Sequence, residues 1–177
     1  DPSIRIRVEG RGLKGGLLAK DSTGDKSVRY VYSFSQKEAS PPDRGMISSQ
    51  DFSPHFAASS FQSYAEVAQA YREGALPQST VTPEIVAQAK KVVGSATSTH
   101  EKVKRLYAWV SRNIRYLGVY AGSGGYVPHT AENVLRVKYG DCKDHATLLE
   151  SLLRAVGVES SQVLINSDRS YKLPEVP

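Results

Sequence analysis

The chain contains one cysteine, Cys142, set in Tyr139-Gly140-Asp141-Cys142-Lys143-Asp144-His145-Ala146. Gly140 supplies a flexible backbone and Asp141 a helix cap. An apolar run then recurs at Leu148, Leu149, Leu152, Leu153 and Val156 with helical spacing. The pattern predicts a helix running to about Val156 with Cys142 in its first turn. Free backbone N–H groups and the positive end of the helix dipole favour a thiolate there. A thiolate is the nucleophile of acyl transfer, so Cys142 is the candidate nucleophile. The competing reading is a buried structural cysteine, a common fate for a free thiol. Asp141 reads as the cap, and its charge beside the sulfur opposes the dipole.

The four histidines are the candidate bases. His145 follows Cys142 by three residues on the same helix, so its ring would lie along that helix rather than across a cleft from the sulfur. His129, in Val127-Pro128-His129-Thr130, lies in the loop before a short helix and could approach the thiol; it is a candidate base within the chain. His100 falls in a capping box and His55 in a loop. Tyr116 follows a helix and is a candidate hydroxyl donor to an oxyanion, whereas Trp109 reads as core. No histidine pair has metal-ligand spacing with a third ligand nearby, so no metal site is expected. The glycine-rich stretch Ala121 to Pro128 lacks the Gly-Lys-Ser/Thr ending and the strand–loop–helix setting of a phosphate loop, so no nucleotide and no cofactor is expected.

These residues need a scaffold, and the periodicity outlines one. Ile4, Ile6 and Val8 alternate with charged residues, and Val28 to Phe34 is rich in β-formers, so residues 1–50 read as β structure. Gly15-Gly16, Asp21 to Asp25 and Ser40 to Gly45 read as turns. Residues 51–60 read as a linker. From Phe61 the spacing turns helical. Phe61, Tyr64, Ala65, Val67, Ala68 and Tyr71 form one stripe, ending near Gly74. Thr82-Pro83-Glu84 starts a second helix, which carries Ile85, Val86, Ala89, Val92 and Val93 inward and stops at Gly94. Ser98 to Glu101 is a capping box ahead of Val103, Leu106, Tyr107, Val110 and Ile114. Thr130 to Val137 is a short helix with Ala131, Val134 and Leu135 inward. Ser161 to Asn166 reads as a strand.

Composition narrows the function classes. Twenty-three Lys and Arg against 18 Asp and Glu give a net charge of +5. The cations are scattered with no run of five, which argues for a solvated basic surface and against a nucleic-acid partner. One cysteine excludes an internal disulfide without fixing the redox compartment. No apolar stretch approaches the roughly 20 residues of a membrane helix, so membrane insertion of this segment is not expected. The chain begins at Asp1 and stops just after a predicted strand, and is therefore expected to be a piece of a longer protein.

Three segments in order carry a resemblance. They are Trp109-Val110 with Asn113-Ile114-Arg115-Tyr116, then Val134-Leu135 ahead of Tyr139-Gly140-Asp141-Cys142-Lys143-Asp144, then Ala146 through Leu148-Leu149 to Leu152-Leu153-Arg154-Ala155-Val156-Gly157-Val158. Over roughly residues 60–177 the chain resembles the transglutaminase-like core, in its bacterial branch with a preceding N-terminal β domain. The resemblance implies an α+β, papain/transglutaminase-like fold with the nucleophile helix packed on an antiparallel sheet, incomplete at its C-terminus. It divides the chain into the tail of a β domain (1–50), a linker (51–60) and a partial core (61–177). It implies Cys142 as nucleophile, a protein or peptide amide substrate, a thioester intermediate, no cofactor, and a periplasmic or secreted setting. The family's histidine follows the strand after the nucleophile helix, with an Asp or Asn on the next strand; no histidine lies beyond His145 here. The expectation is a thiol peptidase or acyltransferase core that lacks its base and turns nothing over alone. The alternative is a binding or structural module that keeps the fold without the chemistry. The sequence specifies no oligomeric state.

Overall fold

The computed structural model describes residues 4–20, 28–35, 48, 51–118, 122–165, 173 and 175–177. Its contacts divide the chain into Asp1–Ala68 with Ile165–Pro177, and Gln69–Leu164.

The first unit is built of antiparallel strand pairs. β1 (Arg7–Arg11) pairs with β4 (His55–Ser59), and β2 (Lys14–Lys20) pairs with β3 (Val28–Ser33). Residues 51–60, read from the sequence as a linker, thus contain a strand. The first strand also starts later than its alternation suggests: Ile4 and Ile6 lie before β1 and are half-exposed. Gly15 and Gly16 are not a turn but part of β2. A Cβ on Gly15 would lie 2.1 Å from the Val31 carbonyl oxygen, so the glycine permits close approach of the two backbones. Tyr32 packs its ring on Phe56, with centroids 5.1 Å apart. The turns expected at Asp21 to Asp25 and Ser40 to Gly45 lie outside the described residues.

α1 (Tyr64–Ala75) carries the border between the units. Its expected apolar stripe is largely solvent-facing; of its residues only Ala75 is buried. A short 3-10 turn, Leu76–Ser79, follows.

The second unit is helical. α2 (Pro83–Val93) is capped by Thr82 and ends at Gly94 with φ 52°. α3 (Thr99–Asn113) is capped by the Ser98 side chain. β5 (Arg115–Tyr116) pairs in parallel with β6 (Tyr139–Gly140), with α4 (Ala131–Val137) between them in sequence. α5 (Cys142–Ala155) packs on α2, α3, α4 and the Leu76–Ser79 turn. Ile85, Ala89, Leu106, Val134, Leu148 and Leu152 meet in its core. Burying a side chain the size of Leu148 or Leu152 contributes about 1.5–3 kcal/mol. Two expected core positions on α3, Val103 and Tyr107, face solvent instead, because the covered face is the narrower one of Leu106, Val110 and Ile114. Leu149, expected to be buried, is partly so.

The α+β class is as expected, with mixed helices and small sheets. The antiparallel sheet expected beneath the nucleophile helix is not among the described residues; the layer against α5 is helical, with one short parallel pair beside it. Residues 161–165, expected as a strand, have no regular structure, and Val163, Leu164 and Ile165 are exposed. A strand requires a ladder partner, and none is present among the described residues.

Candidate active site

The start of α5 is assembled from its own sequence. Asp141, in extended conformation, accepts from the amides of Lys143 and Asp144, and Asp144 Oδ2 accepts from the amide of Asp141 at 3.1 Å, closing a capping box. Gly140 makes this possible: a Cβ there would lie 2.5 Å from Asp144 Cβ. The Lys143 ammonium pairs with the Asp141 carboxylate, which offsets the negative charge beside the sulfur. Cys142 thereby becomes the first helical residue, with its thiol exposed. Its own amide donates to no described residue, as befits a first-turn N–H that the cap does not reach.

His129 is brought to this helix start by Asp144. The buried carboxylate accepts from the His129 amide at 2.8 Å and lies 3.1 Å from Nδ1. An Nδ1–H donated to the carboxylate leaves Nε2 as the proton acceptor, and the ring is about half exposed. His129 and Cys142 share no hydrogen bond.

His145 is held differently. Nδ1 lies 2.8 Å from the Asp141 carbonyl and Nε2 lies 3.1 Å from the Ile114 carbonyl. Both ring nitrogens face acceptors, so the imidazole ties α5 to the end of α3 and has no nitrogen turned to the thiol. Its ring is 5.9 Å from that of Tyr116. The pairing of β5 with β6 sets Tyr116 opposite Gly140, and the amide of Leu117 donates to the Gly140 carbonyl at 2.9 Å. The Tyr116 side chain is half-exposed.

Tyr71 was not legible as a site residue; in the sequence it looked like one more apolar position of α1. Burial first, and then the charges of Cys142, Asp141, Glu150 and Asp144, push its phenol above the ordinary tyrosine range. Its hydroxyl therefore stays protonated and donates to Gln162 Oε1 at 2.8 Å. Gln162 in turn donates to Thr147 Oγ1 and, at 2.8 Å, to Glu150 Oε2. Arg154 closes the chain by pairing with Glu150 and donating to the Ser79 carbonyl. A hydrogen-bonded polar network thus runs from Tyr71 along α5 to Arg154. Trp109, expected in the core, is partly buried against it, with the Lys138 ammonium 4.8 Å from its ring centroid. Among the described residues no cluster of three His, Cys, Asp or Glu could hold a metal ion, and no helix is long and apolar enough to cross a membrane.

No curated protein matches the chain significantly. A crystal structure of a proposed protease from Parabacteroides distasonis shares the fold, with TM-score 0.61 and 19% sequence identity over 88% of this chain. This chain spans 30% of the length of that one. The sequence pattern of the transglutaminase-like superfamily matches residues 86–170, from α2 through the capped helix of Cys142. Over those residues the chain is similar to the transglutaminase-like core.

Proposed function

We propose that this chain bears the nucleophile of a cysteine peptidase or acyltransferase that acts on protein or peptide amides. The observation that carries the reading is the exposed thiol of Cys142 at the first position of a capped helix. The sulfur attacks an amide carbonyl carbon and a C–S bond forms. The C–N bond then breaks, and the amine leaves with a proton. Water or a second amine then releases the acyl group from the thioester. The unused amide of Cys142 is the first donor to the oxyanion, and the Tyr116 hydroxyl is the second. His129, with its ring oriented by Asp144, has the arrangement an imidazole base needs. Its ring shares no hydrogen bond with the sulfur, and no histidine follows His145 in the sequence. The chain alone is therefore expected to undergo alkylation without turnover, since general-base help is typically worth about 10²–10⁴-fold. The second reading is a module that keeps the fold for binding. Residues 1–50 fit the end of a preceding β domain.

The test is iodoacetamide labelling near neutral pH, with amine incorporation and amide hydrolysis measured in parallel, on this chain and on Cys142→Ala. The expected result is selective labelling of Cys142 at one equivalent and no turnover in either protein. A thiol that labels no faster than a free cysteine would favour the module. Turnover that Cys142→Ala abolishes would overturn the expected inactivity, and His129→Gln should then abolish it too.

A further inference from the structure

A groove of about 580 Å³ runs between α2 and α3, away from the residues assigned to the thiol chemistry. Its floor is Trp109, and its rim carries Lys91 from α2, Arg112 from α3 and Lys138 from the turn after α4. None of these three cations has an acidic partner among the described residues, and Glu101, on α3, is taken by Arg105. Lys91 and Arg112 lie in last turns, where a cation complements the helix dipole. That accounts for each of them alone. It does not account for Lys138, a non-glycine residue at φ 63° whose ammonium turns over the Trp109 ring beside Lys91. Burial first, and then the Lys91 charge, pull that ammonium below the ordinary lysine range. Like charges held together around an open groove, with no acid between them, form a site for an anion.

We propose that this groove binds an acidic peptide segment, with its carboxylates on Lys91, Arg112 and Lys138 and its backbone against Gln88 and Asn113 over Trp109. The two amides favour a peptide over a nucleic acid. Gln88 has neither amide atom engaged with a described residue, and Asn113 uses Nδ2 on the Trp109 carbonyl, leaving Oδ1 to accept. Peptide N–H and C=O groups satisfy both kinds of atom. A phosphodiester backbone has only acceptors, so it can use the amide N–H groups but leaves the Gln88 and Asn113 carbonyl oxygens to water. The inference does not depend on the thiol chemistry, since it concerns binding alone.

Trp109 is the sole tryptophan, so its fluorescence reports the groove directly. Hexaglutamate is titrated at about 10 mM and about 150 mM salt, since the screening length falls from about 30 Å to about 8 Å across that range. The expected result is a saturable change with low-salt affinity well above the high-salt value. Hexaglutamine should give no such change. Lys91→Gln with Arg112→Gln, both on exposed helix turns, should weaken hexaglutamate binding at least about 10-fold. Lys138→Asn, which tolerates the left-handed backbone, should weaken it independently, and far-ultraviolet circular dichroism checks that each variant is folded. Equal binding of hexaglutamine, or affinity unchanged in folded variants, would overturn the proposal. Tighter binding of an oligothymidylate of equal charge, lost in the same variants, would overturn it in favour of nucleic acid.

Discussion

The strand pairs and the helical unit draw on similar apolar residues and treat them in opposite ways. In the helical unit Ile85, Leu106 and Leu152 have no exposed surface, whereas Leu17, Val31 and Phe56 on the strands are 56%, 44% and 50% exposed. A two-stranded ribbon satisfies its backbone on one edge but offers no second layer to cover its faces. The helices cover one another, so each apolar stripe meets a partner. Apolar patterning therefore states which face is ready for burial, and the number of layers available determines whether burial occurs.

Leu152→Ala tests the contrast hardest. It should lower the stability of the helical unit by about 2–5 kcal/mol in denaturant melts, through the cavity left at a fully covered site. A loss below about 1 kcal/mol would mean that this core relaxes as readily as the strands.

Next in size is the start of α5. Gly140→Ala drives a methyl into Asp144 and should cost about 1–3 kcal/mol. Asp144→Ala removes the acceptor of the Asp141 and His129 amides and should cost a similar amount. The double variant should cost clearly less than the sum, because both changes break the same box. Additive costs would show that Gly140 is required for some other reason.

Tyr71→Phe should cost about 0.5–1.5 kcal/mol by removing one hydrogen bond of the α5 network. Its pH signature is specific. The folded phenol lies above the unfolded value of 10.0, so its contribution is complete below that value and is lost as pH rises through the folded one. The parent should therefore lose stability more steeply than Tyr71→Phe above about pH 10. Parallel profiles would remove Tyr71 from the network.

Val31→Ala is the smallest effect, expected within about 0.5 kcal/mol. A cost matching that of Leu152→Ala would erase the contrast between the two regions.

Local chemistry was readable without coordinates where neighbours in sequence carry it. The caps at Thr82, Ser98 and Asp141, the stops at Gly94 and after Val156, and Cys142 at a helix start all depend on interactions within a few residues. The stripe at Leu148, Leu152 and Leu153 was equally legible, because a helix of that length must bury one face. Other features depend on what comes from afar. The stripe of α1 met too little cover, so Tyr64 stayed at the surface, while Tyr71 turned to Gln162. The strand after α5 found no ladder partner among the described residues.

The helix of Cys142 and the thiol's place in its first turn were determined by the sequence itself, since spacing and capping act over one or two turns. The roles of the two nearby histidines were decided only by the tertiary structure. His145, adjacent to the thiol in sequence, has both nitrogens drawn to carbonyls, one of them from α3's end. His129, thirteen residues upstream, is oriented by a carboxylate on the nucleophile helix. An imidazole takes its role from whatever its two nitrogens face, and in a folded chain those groups come from segments that no local pattern brings together.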